Sequence, residues 1–234
     1  MSRLTLVILS VVVLGIIARI EYSLFFRASD SCVINDSKYI SWKETLIDSV
    51  GIPEPAINLA FNGYLHLKHQ NLLRNDSLLT IIDFSRPSID KRLFILDLRN
   101  ERIVKNTLVA HGMNTGGQDA ESFSNEMDSN KSSLGLFITQ GTYEGKHGYS
   151  LRIKGMSKGL NDNVFKRAIV IHGADYVSDS FIKQTGRLGR SFGCPALPLD
   201  ETKEVIDLIK DGTCLYIYHP VLIPITQSDL EKLP

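Results

Sequence analysis

The period of the apolar residues changes at Leu78, and that change restricts the fold more than any other feature of the chain. Leu78-Leu79-Thr80-Ile81-Ile82-Asp83-Phe84 and Arg92-Leu93-Phe94-Ile95-Leu96-Asp97-Leu98 are short β-rich runs bounded by turn residues. Arg99-Asn100-Glu101 turns the chain into Arg102 to Ala110, which reads as a hairpin. Further strands are expected at Gly135 to Thr139, Ser150 to Ile153, Ala168 to Ile171 and Leu215 to Tyr218. Between them, His111 to Ser133 is polar and rich in Gly, Asn and Ser, the composition of a long surface loop that lines a site. Helices are few. Ser41 with Glu44 predicts a capping box opening a helix through Val50. Pro53 and Pro55 are placed to begin a second, in which Ile57, Ala60, Phe61, Tyr64 and Leu65 share one face and His66 and His69 flank it as solvated groups. A late helix is expected to be capped by Asp200, to bury Val205, Ile206 and Ile209, and to end at Gly212. The expected fold is mainly β and mostly antiparallel, with two helices before the strands and one near the C-terminus.

The N-terminus sets the compartment. An unbroken apolar run from Leu4 to Ala18 follows Arg3 and stops at Arg19. Its length lies at the upper limit of a signal-peptide core, roughly 7 to 15 residues, and below the roughly 20 of a spanning helix. No pair of small residues marks a cleavage site, so residues 1–28 are read as a signal peptide or an uncleaved membrane anchor. Residues 29–77 form a helical N-terminal segment, and residues 78–234 the main domain. Cys32 lacks the context of a lipid attachment point. Lys and Arg number 26, as do Asp and Glu, with no block of like charge, so the electrostatic footprint of nucleic-acid binding is missing. Export implies an oxidising compartment, where even numbers of cysteines usually pair. This chain has three. At least one of Cys32, Cys194 and Cys214 is therefore free or bonded to another molecule. Cys214, inside the apolar run Thr213-Cys214-Leu215-Tyr216-Ile217, reads as a core residue.

Two stretches are able to carry chemistry. Ala168-Ile169-Val170-Ile171-His172-Gly173-Ala174 is a buried-looking strand that delivers a histidine at its end. In Gly189-Arg190-Ser191-Phe192-Gly193-Cys194-Pro195-Ala196-Leu197-Pro198, glycines and prolines bracket Ser191 and Cys194 in a turn that is neither helix nor central strand. Together they suggest a Cys–His pair in which imidazole accepts the thiol proton and an ion pair keeps a thiolate available. Asp175 and Asp179 read as solvated, so the Gly173 carbonyl is the better orienter of the ring. Pro195 has no N–H, and oxyanion donors must come from Cys194, Gly193 or elsewhere. A satisfied structural histidine, or a zinc hydrolase using His111, His172 and Cys194, are the competing readings. His147, in Gly145-Lys146-His147-Gly148, reads as a turn residue.

His172-Gly173 followed by Ser191-Phe192-Gly193-Cys194 resembles the L,D-transpeptidases of the bacterial cell wall with the YkuD-type catalytic domain, in the branch described as murein L,D-transpeptidase catalytic domain proteins. Lys131-Ser132-Ser133-Leu134-Gly135-Leu136-Phe137 occupies the place of that family's Thr-Pro-Thr-Gly-x-Phe segment, and the likeness runs from about Leu78 to Tyr218. It implies a YkuD-like β-sandwich acting on peptidoglycan stem peptides. Cys194 would attack the amide after the L-centre of diaminopimelate, D-Ala would leave, and an acyl-enzyme would remain. His172 would act as base, Gly173 would orient it, and Gly193 and Cys194 would supply oxyanion N–H groups. Ser191, Arg190, Phe192 and His111 are the candidate substrate-binding residues. The acceptor would be a second stem peptide or, in an L,D-carboxypeptidase, water; a non-catalytic wall-binding module is the remaining alternative. No cofactor or metal is implied, and an exported monomer in the periplasm or cell envelope is expected. One departure stands out: the family's Arg or Asn two residues after the cysteine is here Ala196, leaving Arg190 or Arg187 as replacements.

Overall fold

Eight strands join in one sheet in the computed structural model, which describes residues 39–222. The apolar N-terminal run and Cys32 lie outside the described residues. In chain order the elements are α1 (Ile40–Val50), α2 (Glu54–His69), β1 (Leu78–Asp83), β2 (Leu93–Asp97), β3 (Arg102–Thr107), β4 (Gly135–Gly145), β5 (Gly148–Gly155), β6 (Val170–Ala174), α3 (Asp179–Thr185), β7 (Ala196–Pro198), α4 (Thr202–Ile209) and β8 (Cys214–Tyr218), followed by a 3-10 turn over Pro220–Leu222. The sheet order is β3-β2-β1-β8-β4-β5-β6-β7. Neighbours are antiparallel except β1 with β8 and β6 with β7.

This sheet is not flat. Just past β3, Ala110 exchanges two backbone hydrogen bonds with Ala196 of β7, of 2.8 and 3.2 Å. The two edges of the sheet thereby meet, which pairs backbone groups that would otherwise be exposed. A large core cluster is formed by Ile82, Leu93, Phe137, Leu151, Ile171 and Leu215 from the sheet with Val205, Ile206 and Ile209 from α4, and a smaller one by Leu108, Ala110, Ala174, Val177, Leu188 and Ala196 at the closure. The mainly β expectation holds, and the sandwich is a single sheet brought back on itself.

α2 packs on β1 and β8. Pro53 stands at its N-cap and Pro55 in its first turn, where a missing N–H costs nothing. Ile57, Ala60, Phe61, Tyr64 and Leu65 are buried as the periodicity predicts. Tyr39 and Trp42 meet Phe61 with ring centroids at 5.6 and 6.1 Å, tying α1 to α2.

Local capping chemistry differs from expectation. Helix α1 begins at Ile40, so Ser41 lies inside it and no side chain caps it. The N-cap of α4 is Glu201 rather than Asp200, again without a side-chain bond. Tertiary burial fixes these ends instead, consistent with packing outweighing propensity in short helices. Strand β7 and helix α3 were not expected. β7 is three residues long between prolines, too short for a period, and α3 buries none of its residues, so it has no apolar stripe to read. The β4–β5 hairpin is longer than its apolar portions. Beyond Thr139 the residues of β4 are exposed or half-buried, and the strands close on the two-residue turn Lys146-His147 between paired Gly145 and Gly148.

Phe137, fully buried at the centre of the core, is expected to be among the costliest truncations: Phe137→Ala should lower unfolding free energy by about 3–5 kcal/mol, read as a reduced urea midpoint.

Candidate active site

The parallel pairing of β6 with β7 builds the site. Its register sets His172 opposite Ala196, which carries Cys194, two residues earlier, alongside Val170. Val170 and His172 are two apart on one strand, so they share a face. The contact is direct: Val170 N–H donates to Cys194 Sγ at 3.4 Å, and the thiol lies 3.8 Å from the carbonyl of Ala168. Ala168 has φ +55°, a left-handed conformation that a non-glycine residue adopts at a cost and that turns the chain into β6 beside the sulfur.

His172 is buried at the head of this arrangement, and its ring Nδ1 lies 2.9 Å from Gly173 O. A carbonyl only accepts, so Nδ1 carries the proton and Nε2 keeps its lone pair. The orienter read from sequence, the Gly173 carbonyl, is in place. Gly173 also packs where no side chain fits, since a Cβ there would lie 2.4 Å from Thr202 Oγ1 of α4. Gly193 is under two demands. Its φ is +118°, and a Cβ would approach Lys131 O to 2.8 Å and Ile169 Cδ1 to 2.9 Å.

The residues around the cysteine divide into those within the turn and those outside it. Ser191 Oγ donates to Cys194 O at 2.6 Å and accepts from Gly193 N–H at 3.0 Å, so the hydroxyl staples the turn instead of facing the cleft. The Gly193 amide is thereby engaged. Among the described residues, the Cys194 N–H has no hydrogen-bond partner. Arg190 donates to the carbonyls of Met113 and Gly116, and Arg187 to that of Leu188, which holds both away from the place left by the missing polar residue. Phe192 stands exposed at the rim. Ala196 is fully buried, pairs through its backbone with Ala110 and His172, and packs in a small apolar cluster with Leu108, Ala174, Val177 and Leu188.

His111 is 1 % exposed and lies beneath the turn, not on the cleft wall. Its carbonyl accepts from Ser191 N–H, and its Nδ1 accepts from the fully buried Arg92 at 2.9 Å. Burial and this guanidinium push its pKa down to about 4. A neutral imidazole whose Nδ1 faces a cation is ill suited to share a metal with His172 and Cys194, and among the described residues no group of three or more His, Cys, Asp or Glu is placed to hold one. The cavities of about 380 and 460 Å³ lie elsewhere, beside Arg74 and Lys154 and beside Phe123 and Leu160.

Three side chains absent from the sequence-derived set gather here. Arg167 lies under Gly193, with Nη2 3.3 Å from the position a Cβ would take. It donates to Ser124 O, Ser133 Oγ, Ser129 Oγ and Lys131 O, at 2.6 to 3.0 Å, so four neutral acceptors hold it and its charge is left for the thiol. Ser132 Oγ accepts from Gly112 N–H and donates to Gly193 O, fixing the 111–133 loop to the turn. His147 stacks on His172, with centroids 4.4 Å apart and planes at 21°. None of these had a motif. Arg167 and His147 come from segments whose placement depends on strand register, and only the seryl run 131–133 was marked, by position.

Electrostatically, burial pushes the Cys194 thiol up, opposed by the Val170 N–H, Arg167 and Lys146. His172 is pushed down, by burial first and by the nearby His147 and Lys146, against the Gly173 carbonyl. Both shifts favour thiol and imidazole as neutral groups, and no hydrogen bond joins them in this structure. The ion pair expected from sequence is disfavoured by desolvation of the charged forms.

The L,D-transpeptidase catalytic domain family YkuD_2 matches residues 49–218. No curated protein matches. Among solved structures, an L,D-transpeptidase from Mycobacterium smegmatis is 11% identical with TM-score 0.37, over 61% of this chain and 59% of that one. One from Xylanimonas cellulosilytica is 15% identical with TM-score 0.37, over 61% and 60%. The helical cell shape determining protein Pgp2 from Campylobacter jejuni is 14% identical with TM-score 0.41, over 72% and 57%. The chain thus covers less than two thirds of each of these proteins.

Gly193→Ala is expected to destabilise the turn by on the order of 1–3 kcal/mol, because a positive φ and the Lys131 carbonyl both oppose the added methyl. Thermal unfolding followed together with the rate of Cys194 alkylation checks this; an unchanged melting temperature and rate would contradict it.

Proposed function

The chain belongs to the L,D-transpeptidase catalytic domain family, and from that premise we propose that it transfers acyl groups on peptidoglycan stem peptides through a thioester at Cys194. The observation that carries this reading is the β6–β7 register, which sets the thiol against the strand that carries His172 at its centre, with the Nε2 lone pair free to accept. Both groups start neutral. The reaction requires the thiol to leave Ala168 O for Nε2, and proton transfer accompanies attack, as for a general base. The Sγ–C bond forms at the carbonyl after the L-centre of diaminopimelate, and the carbonyl electrons move to oxygen. The free Cys194 N–H is the first donor to that oxyanion, and the Gly193 N–H joins by exchanging Ser191 Oγ for it. Arg167 adds positive potential under the turn, in place of the side chain that Ala196 lacks. Collapse breaks the C–N bond, and the proton held on His172 passes to the departing D-Ala amine. In the second half, His172 takes a proton from the acceptor, the acceptor's nitrogen or oxygen bonds to the thioester carbon, and sulfur leaves and recovers the proton.

The domain limits follow the same proposal: residues 78–234 as catalytic domain, 29–77 as the helical segment packed on it, and 1–28 as an export signal or anchor, with a monomer acting in the cell envelope. Among the described residues no helix is long and apolar enough to cross a membrane.

Incubation with a diaminopimelate-containing tetrapeptide or a carbapenem should yield a mass adduct on Cys194 that survives chelator and is lost in Cys194→Ala. Turnover that chelator abolishes, without an adduct, would overturn the thiol mechanism; neither adduct nor turnover would favour a binding module. Product masses then separate cross-linking from carboxypeptidase trimming. The neutral resting pair has its own signature. With the thiol raised and the imidazole lowered, iodoacetamide alkylation of Cys194 should climb with pH through a single thiol titration above that of free cysteine, roughly 8.5. A reactive plateau extending below pH 6 would instead indicate a preformed ion pair.

A further inference from the structure

We propose that His147, carried on the β4–β5 turn, is a positioning residue for His172 that shields the base from water and fixes its ring plane. The inference rests on the role of His172 given above. Geometry leads to it in three steps. The β5–β6 register sets Ser150 opposite His172, so the turn at Lys146-His147 lies three to four residues from the imidazole along β5. The tight closure between Gly145 and Gly148 leaves the turn no slack, and His147 lies over the face of the His172 ring at 4.4 Å with a 21° tilt. Offset stacking at this separation is a favoured arrangement of flat rings. His147 is itself exposed while His172 is 2 % exposed, so the outer ring stands on the solvent side of the inner one.

The cover has a chemical consequence. A base that must accept a thiol proton near neutral pH works only while neutral. The groups that act on His172 are His147 and Lys146 from the turn and the Gly173 carbonyl from its own strand. Across the site, Arg167, Lys146 and Tyr176 act on the neighbouring Cys194. Of these, His147 is in ring contact with His172. Removing it rehydrates the imidazole and lets its charged form gain water, which raises its pKa toward the ordinary value of about 6.5. The edge bearing Nε2 is not the face that His147 covers, which leaves the route for proton transfer open.

Two variants test this in the full protein. In His147→Ala, the His172 ring signals followed by NMR should titrate at higher pH than in the parent chain, and the acid limb of the pH–rate profile should move up with them. In His147→Phe, which keeps a flat ring but no ring nitrogen, the His172 titration should stay on the parent side of the alanine variant. An unchanged His172 titration in His147→Ala would overturn the proposal, as would a phenylalanine variant indistinguishable from alanine. Because the titration is read without substrate, it stands or falls separately from the proposed transfer reaction: an absent Cys194 adduct with a shifted His172 would refute the reaction and retain the positioning role.

Discussion

Two strands running the same way, three residue pairs long, hold this site together. The β6–β7 register places Cys194 beside Val170 and Ala196 beside His172, and each other feature of the site is built around those pairings. Parallel neighbours cannot be joined by a tight turn, so the chain between them must travel. It does so through α3 and the Gly189-Arg190-Ser191 approach. The turn at the cysteine is then stapled from within by Ser191 and from below by Ser132, in a loop that Arg167 holds through the Lys131 carbonyl. The cysteine is thus anchored at its backbone, and its sulfur is held against Val170 N–H and the Ala168 carbonyl.

Ala196, where the resemblance implies a polar residue, lies within the same pairing. Ala110 reaches across to Ala196 and closes the sheet at the position where the family carries a polar side chain. Positive charge near the sulfur comes instead from Arg167, in the segment before β6, and Lys146, in the hairpin turn. Arg92 supports the arrangement from deeper in the fold. Fully buried over the Phe84 ring, it donates to Val109 O and to His111 Nδ1, fixing the strand that both pairs with Ala196 and accepts from Ser191.

Desolvation sets the protonation state. The interior that gives the site its shape also raises the thiol and lowers the imidazole, so the pair rests uncharged. In the proposed transfer, charge develops only as the thiol attacks, where the Cys194 N–H and the Arg167 guanidinium are placed to stabilise it.

Gly173 and Gly193, beside the candidate pair His172 and Cys194, were legible in the sequence because their constraints are local. Gly173 is glycine because Thr202 leaves no space, Gly193 because of its positive φ, and both leave a mark in the residue type itself. The strands of the core and the buried face of α2 were legible for the same reason, since burial repeats with the period of the element. By contrast, β7 was too short for a period, and α3 had no buried face. Ser191 and Arg190 looked like cleft residues because their hydrogen-bond partners are backbone atoms, which a sequence does not display. His111 looked exposed because a polar loop surrounds it, although Arg92 draws it inward. Arg167 and His147 reach the site only through strand register and a hairpin turn. The sequence alone pointed to Cys194 and His172 as the candidate pair; tertiary structure decided which charges and rings surround them, because those neighbours are set by pairing between distant segments.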